Sequence, residues 1–360
     1  MGEEVLINMA IIKYSNVGIS AISACVPKKI INNYEYTQYF LKEDVKKVVD
    51  KIGVYERRFV DEKTCSSDLC YAAAEKLLDD NKIDRAEIDL LVFVSQTPDY
   101  RMPATSILLQ SRLKLPSSTI AFDVNLGCSG FLYGLSIIYS FMQNNGLKKA
   151  LLLNGETRSK VYSPKDRTAA FIFGDAGVAA LIEYDEKFGD SHFSLNSDGS
   201  RGDLIMIPGG GYRNMSSIDT LKEKVVDEHG NIRSDEQGYM NGSDVFNFVI
   251  REIPKDIKRL FTTVDVDIKS MDYYIFHQAN SFINTYIAKK MKLDTDKIPS
   301  TIEKYGNTSS VSVPLTIVSE LKDKLVGHDK IMLSAFGVGM AWATAIISLV
   351  DCKISDIIEI

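Results

Sequence analysis

The chain is poor in cysteine, and its few cysteines form no pattern that would bind a metal. There are five among 360 residues, an odd number, and even Cys65 and Cys70 stand five positions apart. Proteins that depend on disulfides usually carry an even number of cysteines at regular spacings. The sequence therefore predicts neither a disulfide framework nor a metal site, and it favours a reducing compartment, the cytoplasm.

The chain also lacks a long hydrophobic run and an excess of basic charge. Its longest apolar run, Gly339 to Val350, has 12 residues, whereas a membrane span needs about 20. The amino terminus carries Glu3 and Glu4 and no basic region, which predicts no secretory signal. The formal net charge is -6 and the pI is near 5.4. These values argue against a nucleic-acid or membrane-surface binder, and an acidic partner would need a local basic patch.

Segments with the pattern of strands alternate with segments with the pattern of helices. The expected strands are Leu90 to Ser95, Thr119 to Val124 (read as buried) and Ala150 to Leu153. The expected helices are about Ser67 to Asp80, capped within Ser66 to Asp68, then Thr105 to Leu113 and Phe131 to Met142. This alternation predicts an α/β protein in which helices cover a parallel sheet.

Two stretches of the chain have counterparts later in the sequence. Phe171 to Glu183 resembles Gly337 to Val350, because each has glycine near its start and continues as a long apolar strand. Leu90 to Ser95 similarly corresponds to Tyr273 to Phe276. We expect two similar halves that meet near residue 185. Asp198 to Tyr239 is irregular and too long for an ordinary connection, which predicts a functional loop or cover.

Cys128 lies where a strand pattern changes to a helix pattern. A thiol at a helix N-terminus, with Gly127 and Gly130 beside it, would be favoured as the thiolate that attacks acyl groups. A lower pKa than that of an ordinary thiol is therefore expected. The alternative is a buried structural cysteine, since cysteine is among the most buried residue types.

Three further segments carry candidate functional groups. His277 follows the strand Tyr273 to Phe276, at the strand end where α/β folds gather their ligands. Asn307 lies thirty residues later in a Gly-Asn turn, where it could equally be a turn residue or a helix cap. A glycine-rich bend, Phe336 to Gly339, could be a tight turn or could aim backbone amides into a site. By residue type alone, a cysteine, a histidine and an asparagine would also fit a papain-like protease.

In combination these segments resemble the β-ketoacyl-acyl-carrier-protein synthase III family of the thiolase-like superfamily. The matching pieces, in family order, are Asp123 to Gly130, Phe173 to Gly177, His277 to Asn280, Gly306 to Ser309 and Phe336 to Gly339. The resemblance extends from about Val17 to Leu349. It implies a thiolase-like duplicated fold with two similar βαβαβαββ halves and a five-layer αβαβα core. Residues 1–185 would carry the nucleophilic cysteine, and residues 186–360 the histidine and the asparagine.

The resemblance implies an acyltransferase of the 3-oxoacyl synthase III type, without a cofactor. Cys128 would hold an acyl group taken from an acyl-CoA or acyl-carrier thioester. His277 and Asn307 would stabilise the enolate that forms as malonyl-acyl carrier protein loses carbon dioxide. The backbone N–H groups of Cys128 and Val338 would form the oxyanion hole, and the product would be a 3-oxoacyl thioester of fatty acid or dedicated acyl metabolism.

The resemblance also assigns residues to substrate and partner binding. Substrate contacts would come from Arg167, Met102, Phe336 and Asn280. Met102 would reach across a homodimer into the acyl pocket of the second copy. The tryptophan that stacks on coenzyme A adenine in typical members is absent, since the only one here is Trp342. We therefore expect a carrier-bound donor.

The basic patch that docks acyl carrier protein in typical members is not matched at its usual positions. Phe282 and Asn247 occupy the two positions where typical members carry basic residues that dock the carrier. Residues that could replace them are Lys255, Lys258, Arg259, Lys289 and Lys290. Such charges are more often only a solvated face.

Two other functions remain open from the sequence. The enzyme could pass its acyl group to an oxygen or nitrogen nucleophile without decarboxylation. Alternatively, the chain could be a non-catalytic subunit that keeps the fold. A thiolase is less favoured because thiolases use two cysteines, and Cys352 lies outside the expected glycine-rich position.

Overall fold

Strands and helices alternate as the sequence predicts. The computed structural model describes residues 11–144 and 146–360. Its helices are α1 (Lys42–Ile52), α2 (Ser66–Asp80), α3 (Thr105–Arg112), α4 (Gly130–Asn144), α5 (Ile218–Leu221), α6 (Gly242–Thr263), α7 (Ser281–Met291), α8 (Ile302–Tyr305) and α9 (Ser312–Leu321). Its strands are β1 (Ile11–Ser15), β2 (Val17–Val26), β3 (Ile30–Asn32), β4 (Glu56–Arg58), β5 (Leu90–Val94), β6 (Ile120–Val124), β7 (Lys149–Thr157), β8 (Asp175–Tyr184), β9 (Asp190–Ser197), β10 (Ile205–Met206), β11 (Lys224–Val225), β12 (Ile232–Arg233), β13 (Tyr239–Met240), β14 (Tyr273–Phe276), β15 (His328–Gly337), β16 (Ala341–Val350), β17 (Lys353–Ile354) and β18 (Ile358–Glu359).

Two large sheets have related topologies. The first has the order β17-β2-β8-β7-β5-β6, with β18 also paired to β2, and the second has the order β1-β9-β16-β15-β14. In the first sheet β5 is parallel to β6 and β7, whereas β8 runs antiparallel to β7 and β2. In the second, β14 is parallel to β15, and β16 runs antiparallel to β15 and β9. The expected correspondences of β8 with β16 and of β5 with β14 are therefore present.

The ends of the chain cross between the two sheets. Strand β1 pairs with β9 in the second sheet, and β17 and β18 pair with β2 in the first. A division into residues 1–185 and 186–360 stays a prediction, and each sheet contains a short strand from the other side of that division.

The helices and sheets form the five layers that the resemblance implied. Helices α4 and α9 lie between the two sheets and contribute to one apolar core with both of them. Helices α2 and α3 cover the outer face of the first sheet, and α6 and α7 cover the outer face of the second. Strand β5 shows why helices cover both faces of the first sheet. All its residues are buried, and they alternate between the two faces. Leu90, Val92 and Val94 face the central core, whereas Leu91 and Phe93 face α2.

Two local predictions are wrong. The cap of α2 is Cys65, whose N–H donates to the Asp68 carboxylate at 2.8 Å, so the helix begins at Ser66. Strand β6 is not buried, since Ile120 is 41% exposed and the other residues of the strand are half-buried. This strand is the edge of the first sheet, so among the described residues one side of its backbone has no neighbouring strand.

The irregular segment from Asp198 to Tyr239 contains α5 and several two-residue strands. Strand β10 pairs with β13, and β11 pairs with β12. This segment brings Ile205 to the cavity described below. Among the described helices, none is both long and apolar enough to cross a membrane.

Candidate active site

Cys128 lies in the turn between β6 and α4, two residues before the helix begins. The side chain is 7% exposed, and its Sγ lies 3.8 Å from the hydroxyl of Ser309. The bend after β15 passes so close that a Cβ on Gly337 would lie 2.6 Å from the Cys128 Cβ. Glycine at this position therefore leaves room for the thiol.

A cavity, here the main cavity, brings the predicted residues together. It encloses about 680 Å³, including space open to solvent. The predicted site residues that line it are Cys128, His277, Asn280, Asn307, Phe336 and Val338. Apolar side chains complete the wall, among them Ile172, Phe173, Ile205, Met240, Val245, Phe246 and Ile283. A mostly apolar space with a thiol in its wall is suited to a thioester on a flexible arm.

His277 follows β14 and is buried in its neutral form. Burial, and after it the positive charge of Arg158, lowers the pKa of His277 to about 3. Its Nδ1 lies 2.6 Å from the hydroxyl of Ser312, the first residue of α9. The same hydroxyl accepts the N–H of Gln278, at 3.4 Å. When the Ser312 hydroxyl donates its proton to Nδ1, the ring proton of the neutral histidine is on Nε2, where it can be donated to a ligand.

Asn307 is held so that its amide nitrogen is available as a donor. Its backbone bonds to Ile172 and Gly174, and its Oδ1 accepts the N–H of Ser309 at 2.8 Å. Because the oxygen takes that proton, the NH₂ group is the other end of the amide. In residues 11–144 and 146–360, no described group accepts a hydrogen bond from it. Asn307 can therefore donate to a bound oxygen.

Two backbone amides at the thiol have no acceptor in another described residue. Within the described residues, no acceptor takes the N–H of Cys128 or the N–H of Val338 in a hydrogen bond between residues. Both residues line the main cavity. Unpaired amides beside a nucleophile are suited to hold an oxyanion.

The comparisons with known proteins agree with this geometry. Sequence models described as "3-Oxoacyl-[acyl-carrier-protein (ACP)] synthase III" and its C-terminal part match residues 122–199 and 261–349. A Campylobacter jejuni protein, provisionally named 3-oxoacyl-[acyl-carrier-protein] synthase 3, is 37% identical over 96% of this chain and 98% of its own length. The β-ketoacyl-[acyl-carrier-protein] synthase III of Desulfitobacterium hafniense strain Y51 is 32% identical, over 92% of this chain and 97% of its own.

A solved structure shows the same fold. The 3-oxoacyl-(acyl-carrier protein) synthase from Burkholderia xenovorans superposes with a TM-score of 0.91 at 37% identity, covering 98% of this chain and 99% of that one. This chain belongs to the 3-oxoacyl-[acyl-carrier-protein] synthase III family. Its fold is thiolase-like, as the sequence predicted.

One prediction about the nucleophile of this synthase III chain is wrong. Burial raises the pKa of the Cys128 thiol above its ordinary value, and the charge of Arg158 and the hydrogen bond with Ser309 offset only part of that effect. The position before α4 was expected to lower this pKa. The thiol is so deeply enclosed that desolvation outweighs the favourable groups around it.

The sequence analysis missed a buried polar cluster behind the thiol. The Arg158 side chain is 4% exposed and bonds to Gln96 and to Ser309, at 2.7 and 2.8 Å. Its Nε lies 3.5 Å from a carboxylate oxygen of Glu156, which is fully buried. No motif marks these residues, because Glu156 and Arg158 follow an ordinary apolar strand pattern. Ser312 was missed for a similar reason.

Arg167 and Met102 do not line the main cavity of this synthase III chain. Arg167 belongs to a separate surface pocket with Tyr39, Phe40 and His229. Tyr39 therefore offers an aromatic ring in the same pocket as Arg167, although the tryptophan of typical members is absent. Met102 is 77% exposed and lines neither the main cavity nor the pocket of Arg167.

The predicted basic patch is only partly available. Lys289 and Lys290 are exposed on α7, and Lys255 is exposed on α6 and lies 3.8 Å from Glu252. Arg259 does not lie in an exposed basic patch as the sequence predicted. Its side chain is 22% exposed and bonds inward to Asp256. It also bonds to Ser194 and Asn196, so its position in this buried network argues against carrier docking.

Proposed function

We propose that this protein catalyses the decarboxylating condensation of an acyl thioester with malonyl-acyl carrier protein, through an acyl group held on Cys128. The observation that carries the proposal is the main cavity itself. It places a thiol, a neutral histidine with its proton on Nε2, and an asparagine NH₂ around one space. Donors that stay uncharged at neutral pH suit an enolate, which a nearby carboxylate would repel.

In the first half-reaction the sulfur of Cys128 attacks the carbonyl carbon of the acyl thioester. The oxygen becomes negative and is held by the backbone N–H groups of Cys128 and Val338. The carbon–sulfur bond to the donor then breaks, and the proton of the Cys128 thiol leaves on the released thiol. An acyl-cysteine remains, with the charge of Arg158 and the hydroxyl of Ser309 favouring the thiolate that attacks.

In the second half-reaction the malonyl thioester loses carbon dioxide. Its thioester oxygen becomes an enolate oxygen that accepts hydrogen bonds from His277 Nε2–H and Asn307 Nδ2–H. The carbanion attacks the acyl-cysteine, forming a carbon–carbon bond and expelling the Cys128 thiolate. That thiolate takes a proton from solvent, and a 3-oxoacyl thioester leaves the cavity.

The substrate carrier and the second copy belong to the same proposal. Acyl carrier protein would deliver the malonyl group and the acyl donor through the mouth of the main cavity, near Phe246 on α6 and Ile283 on α7. A homodimer is supported by the unpaired edge of β6 and by the apolar side chains exposed beside it, Ile107 and Ile120. A cytoplasmic location is supported by the five unpaired cysteines.

The test uses the full chain with acyl donors and with malonyl-acyl carrier protein carrying a labelled carboxyl. Intact-mass analysis should locate the acyl group on Cys128, and labelled carbon dioxide should be released as the 3-oxoacyl product forms. Cys128→Ala should lose the acyl-enzyme yet keep some decarboxylation, because His277 and Asn307 remain.

His277→Ala and Asn307→Ala serve as the complementary variants. Each should spare acylation and reduce condensation by about 10²–10³-fold, the typical cost of removing one oxyanion donor. Acylation of another cysteine, or acyl transfer without release of carbon dioxide, would overturn the proposal.

A further inference from the structure

A second cavity adjoins the main cavity on the far side of Arg158. This side cavity is lined by Gln96, Asn125, Arg158, Tyr162, Ile205, Met206, Ile207 and Val338. Four of these residues, Arg158, Tyr162, Ile205 and Val338, also line the main cavity. Cys128 lines only the main cavity, and the two cavities meet along these four shared residues. The acyl chain of an acyl-Cys128 would reach the side cavity by passing them.

Hydrogen-bonding groups form half of the wall of the side cavity. Arg158 uses Nη2 for both of its described hydrogen bonds, which leaves its Nη1 and Nε without one. Gln96 accepts from Arg158 through its oxygen, so its NH₂ group is a further donor. The Asn125 amide and the Tyr162 hydroxyl make no hydrogen bond within the described residues. A plain alkyl chain placed here would remove these groups from water without giving them a partner.

The charge in the wall is balanced. The Arg158 guanidinium faces the buried carboxylate of Glu156, with Nε and Oε2 3.5 Å apart. The other polar groups, on Gln96, Asn125 and Tyr162, are uncharged. A ligand carboxylate would therefore meet a cation that is already paired, whereas a neutral oxygen can accept a hydrogen bond without bringing in a net charge.

The distances place this polar wall close to the thioester carbon. Arg158 Nη2 is 2.8 Å from the Ser309 hydroxyl, and that hydroxyl is 3.8 Å from the Cys128 Sγ. The second or third carbon of an acyl group on the sulfur would lie next to Arg158. Longer chains would pass toward Met206 and Ile207 at the rim.

We propose that the acyl group carried by Cys128 is short and bears a neutral oxygen substituent, a hydroxyl or an oxo group, on its third carbon, which Arg158 and its neighbours in the side cavity bind. This inference rests on the proposed function, because it names the acyl class that the same nucleophile accepts. It makes Arg158 a residue that determines specificity.

The experiment compares isosteric acyl donors as pantetheine thioesters, so that no carrier or nucleotide affects the result. The donors are butyryl, both enantiomers of 3-hydroxybutyryl, 3-methylbutyryl and succinyl. The rate of acylation of Cys128 is followed by intact mass. Because any change in the thiolate fraction affects all donors equally, the ratio of two rates reports only how the acyl group is accommodated.

In the wild-type protein we expect one 3-hydroxybutyryl enantiomer to react at least about tenfold faster than 3-methylbutyryl, the order of discrimination that one buried hydrogen bond provides. Glu156→Gln/Arg158→Leu removes both buried charges together and should bring that ratio to about one or below. Gln96→Leu keeps the ion pair and should lower the ratio by less than the double variant does. If the double variant does not fold, Gln96→Leu alone tests whether the side cavity binds the oxygen substituent. Arg85→Leu, which removes a paired arginine outside both cavities, should keep the wild-type ratio.

The outcomes separate the inference from the proposed function. Acylation by all donors, with a ratio near one in the wild-type protein or unchanged in the variants, overturns the inference alone. Succinyl reacting faster than 3-hydroxybutyryl also overturns it, since the side cavity would then select a charged group. Acylation by none of the donors, together with no decarboxylation of malonyl-acyl carrier protein, overturns the proposed function itself.

Discussion

At the scale of single residues, the site combines a thiol that is hard to ionise with a histidine that is hard to protonate. Burial raises the pKa of Cys128 and lowers that of His277. A neutral His277 is suited to donate a hydrogen bond and poorly suited to be a strong base. The protein therefore relies on Arg158 and Ser309 to favour the thiolate of Cys128.

The first prediction concerns the reactivity of Cys128. Ser309→Ala removes a hydrogen-bond partner of Sγ and should slow alkylation of Cys128 by iodoacetamide at pH 8 by about three- to tenfold, the effect expected from one hydrogen bond. The full pH profile should shift to higher pH. Ser310→Ala is the matched control, because its hydroxyl lies 3.5 Å from Glu156 and makes no described bond with Cys128. A shift of the Ser309→Ala profile to lower pH would contradict this assignment.

The second prediction follows from the pKa of His277, about 3 in the folded protein and about 6.5 when unfolded. Between these values the unfolded chain binds a proton at this site and the folded chain does not. The free energy of unfolding should therefore fall as the pH drops below about 6.5, by about 1.4 kcal/mol per pH unit.

This acid sensitivity is measured by urea unfolding at pH 7.5 and pH 5. His277→Asn should lose about 2 kcal/mol less between the two pH values than the wild-type protein. His229→Asn alters an exposed histidine and should keep the wild-type pH dependence. Equal pH dependence in all three proteins would show that His277 is not buried in its neutral form.

At the scale of elements, the site depends on where strands end and helices begin. Cys128 follows β6, His277 follows β14, and Asn307 precedes α9. Helices α6 and α7 both contribute side chains to the wall of the main cavity, and Phe282 of α7 stacks on Phe246 of α6 with ring centroids 5.4 Å apart. An aromatic surface thus lies where typical members place an arginine, and the exposed lysines lie farther along the helices.

The third prediction concerns the acyl carrier. Lys289→Glu/Lys290→Glu should raise KM for acyl-carrier substrates severalfold, because acyl carrier proteins are acidic, and leave acylation by pantetheine thioesters unchanged. The effect should fade as salt screens the charges. Lys324→Glu, outside both helices, is the control. Wild-type turnover that is equal with acyl-CoA would instead direct attention to Arg167 and Tyr39 as contacts for the nucleotide.

At the scale of the whole molecule, one edge of the first sheet is incomplete. Within residues 11–144 and 146–360, strand β6 has no neighbouring strand on one side, and exposed apolar residues of β6 and of the segment before it include Tyr100, Met102, Ile107 and Ile120. A second copy of the chain would pair this edge with its own and cover these side chains. Met102 would then face the acyl pocket of the other copy.

The fourth prediction tests this assembly. The wild-type protein should sediment as a dimer, and Ile120→Asp should shift it toward the monomer, since a carboxylate would be buried at the interface. Ile218→Asp changes an isoleucine far along the chain that is even more exposed, 88% against 41% for Ile120, and should leave the dimer intact. Met102→Trp should keep the dimer and shift preference toward shorter acyl thioesters, without altering malonyl decarboxylation. An unchanged acyl-length profile would remove Met102 from the pocket.

Much of the fold and the three central side chains could be predicted from the sequence. The continuous apolar run of β5 and the helical apolar spacing of α4 reflect burial along a single element. Cys128, His277 and Asn307 each lie in a short motif, beside a glycine or at the end of a strand. Such motifs can be recognised from the adjacent residues alone. The five layers followed from the order of these elements together with the family resemblance.

Other properties were decided only by the tertiary structure. The direction of the shift in the Cys128 pKa depends on how completely distant segments enclose the thiol. Gly337 and Ser309, which lie beside the thiol, are far from it in sequence. The inward position of Arg259 depends on strand β9, which brings Ser194 and Asn196 to it. Arg158 belongs to no motif, and its place in the wall of both cavities arises from contacts across the first sheet and the turn before α9. Desolvation and charge pairing depend on all the groups that surround a side chain in space. The sequence pattern therefore determines which residues can react, and the packing determines the protonation state in which they do so.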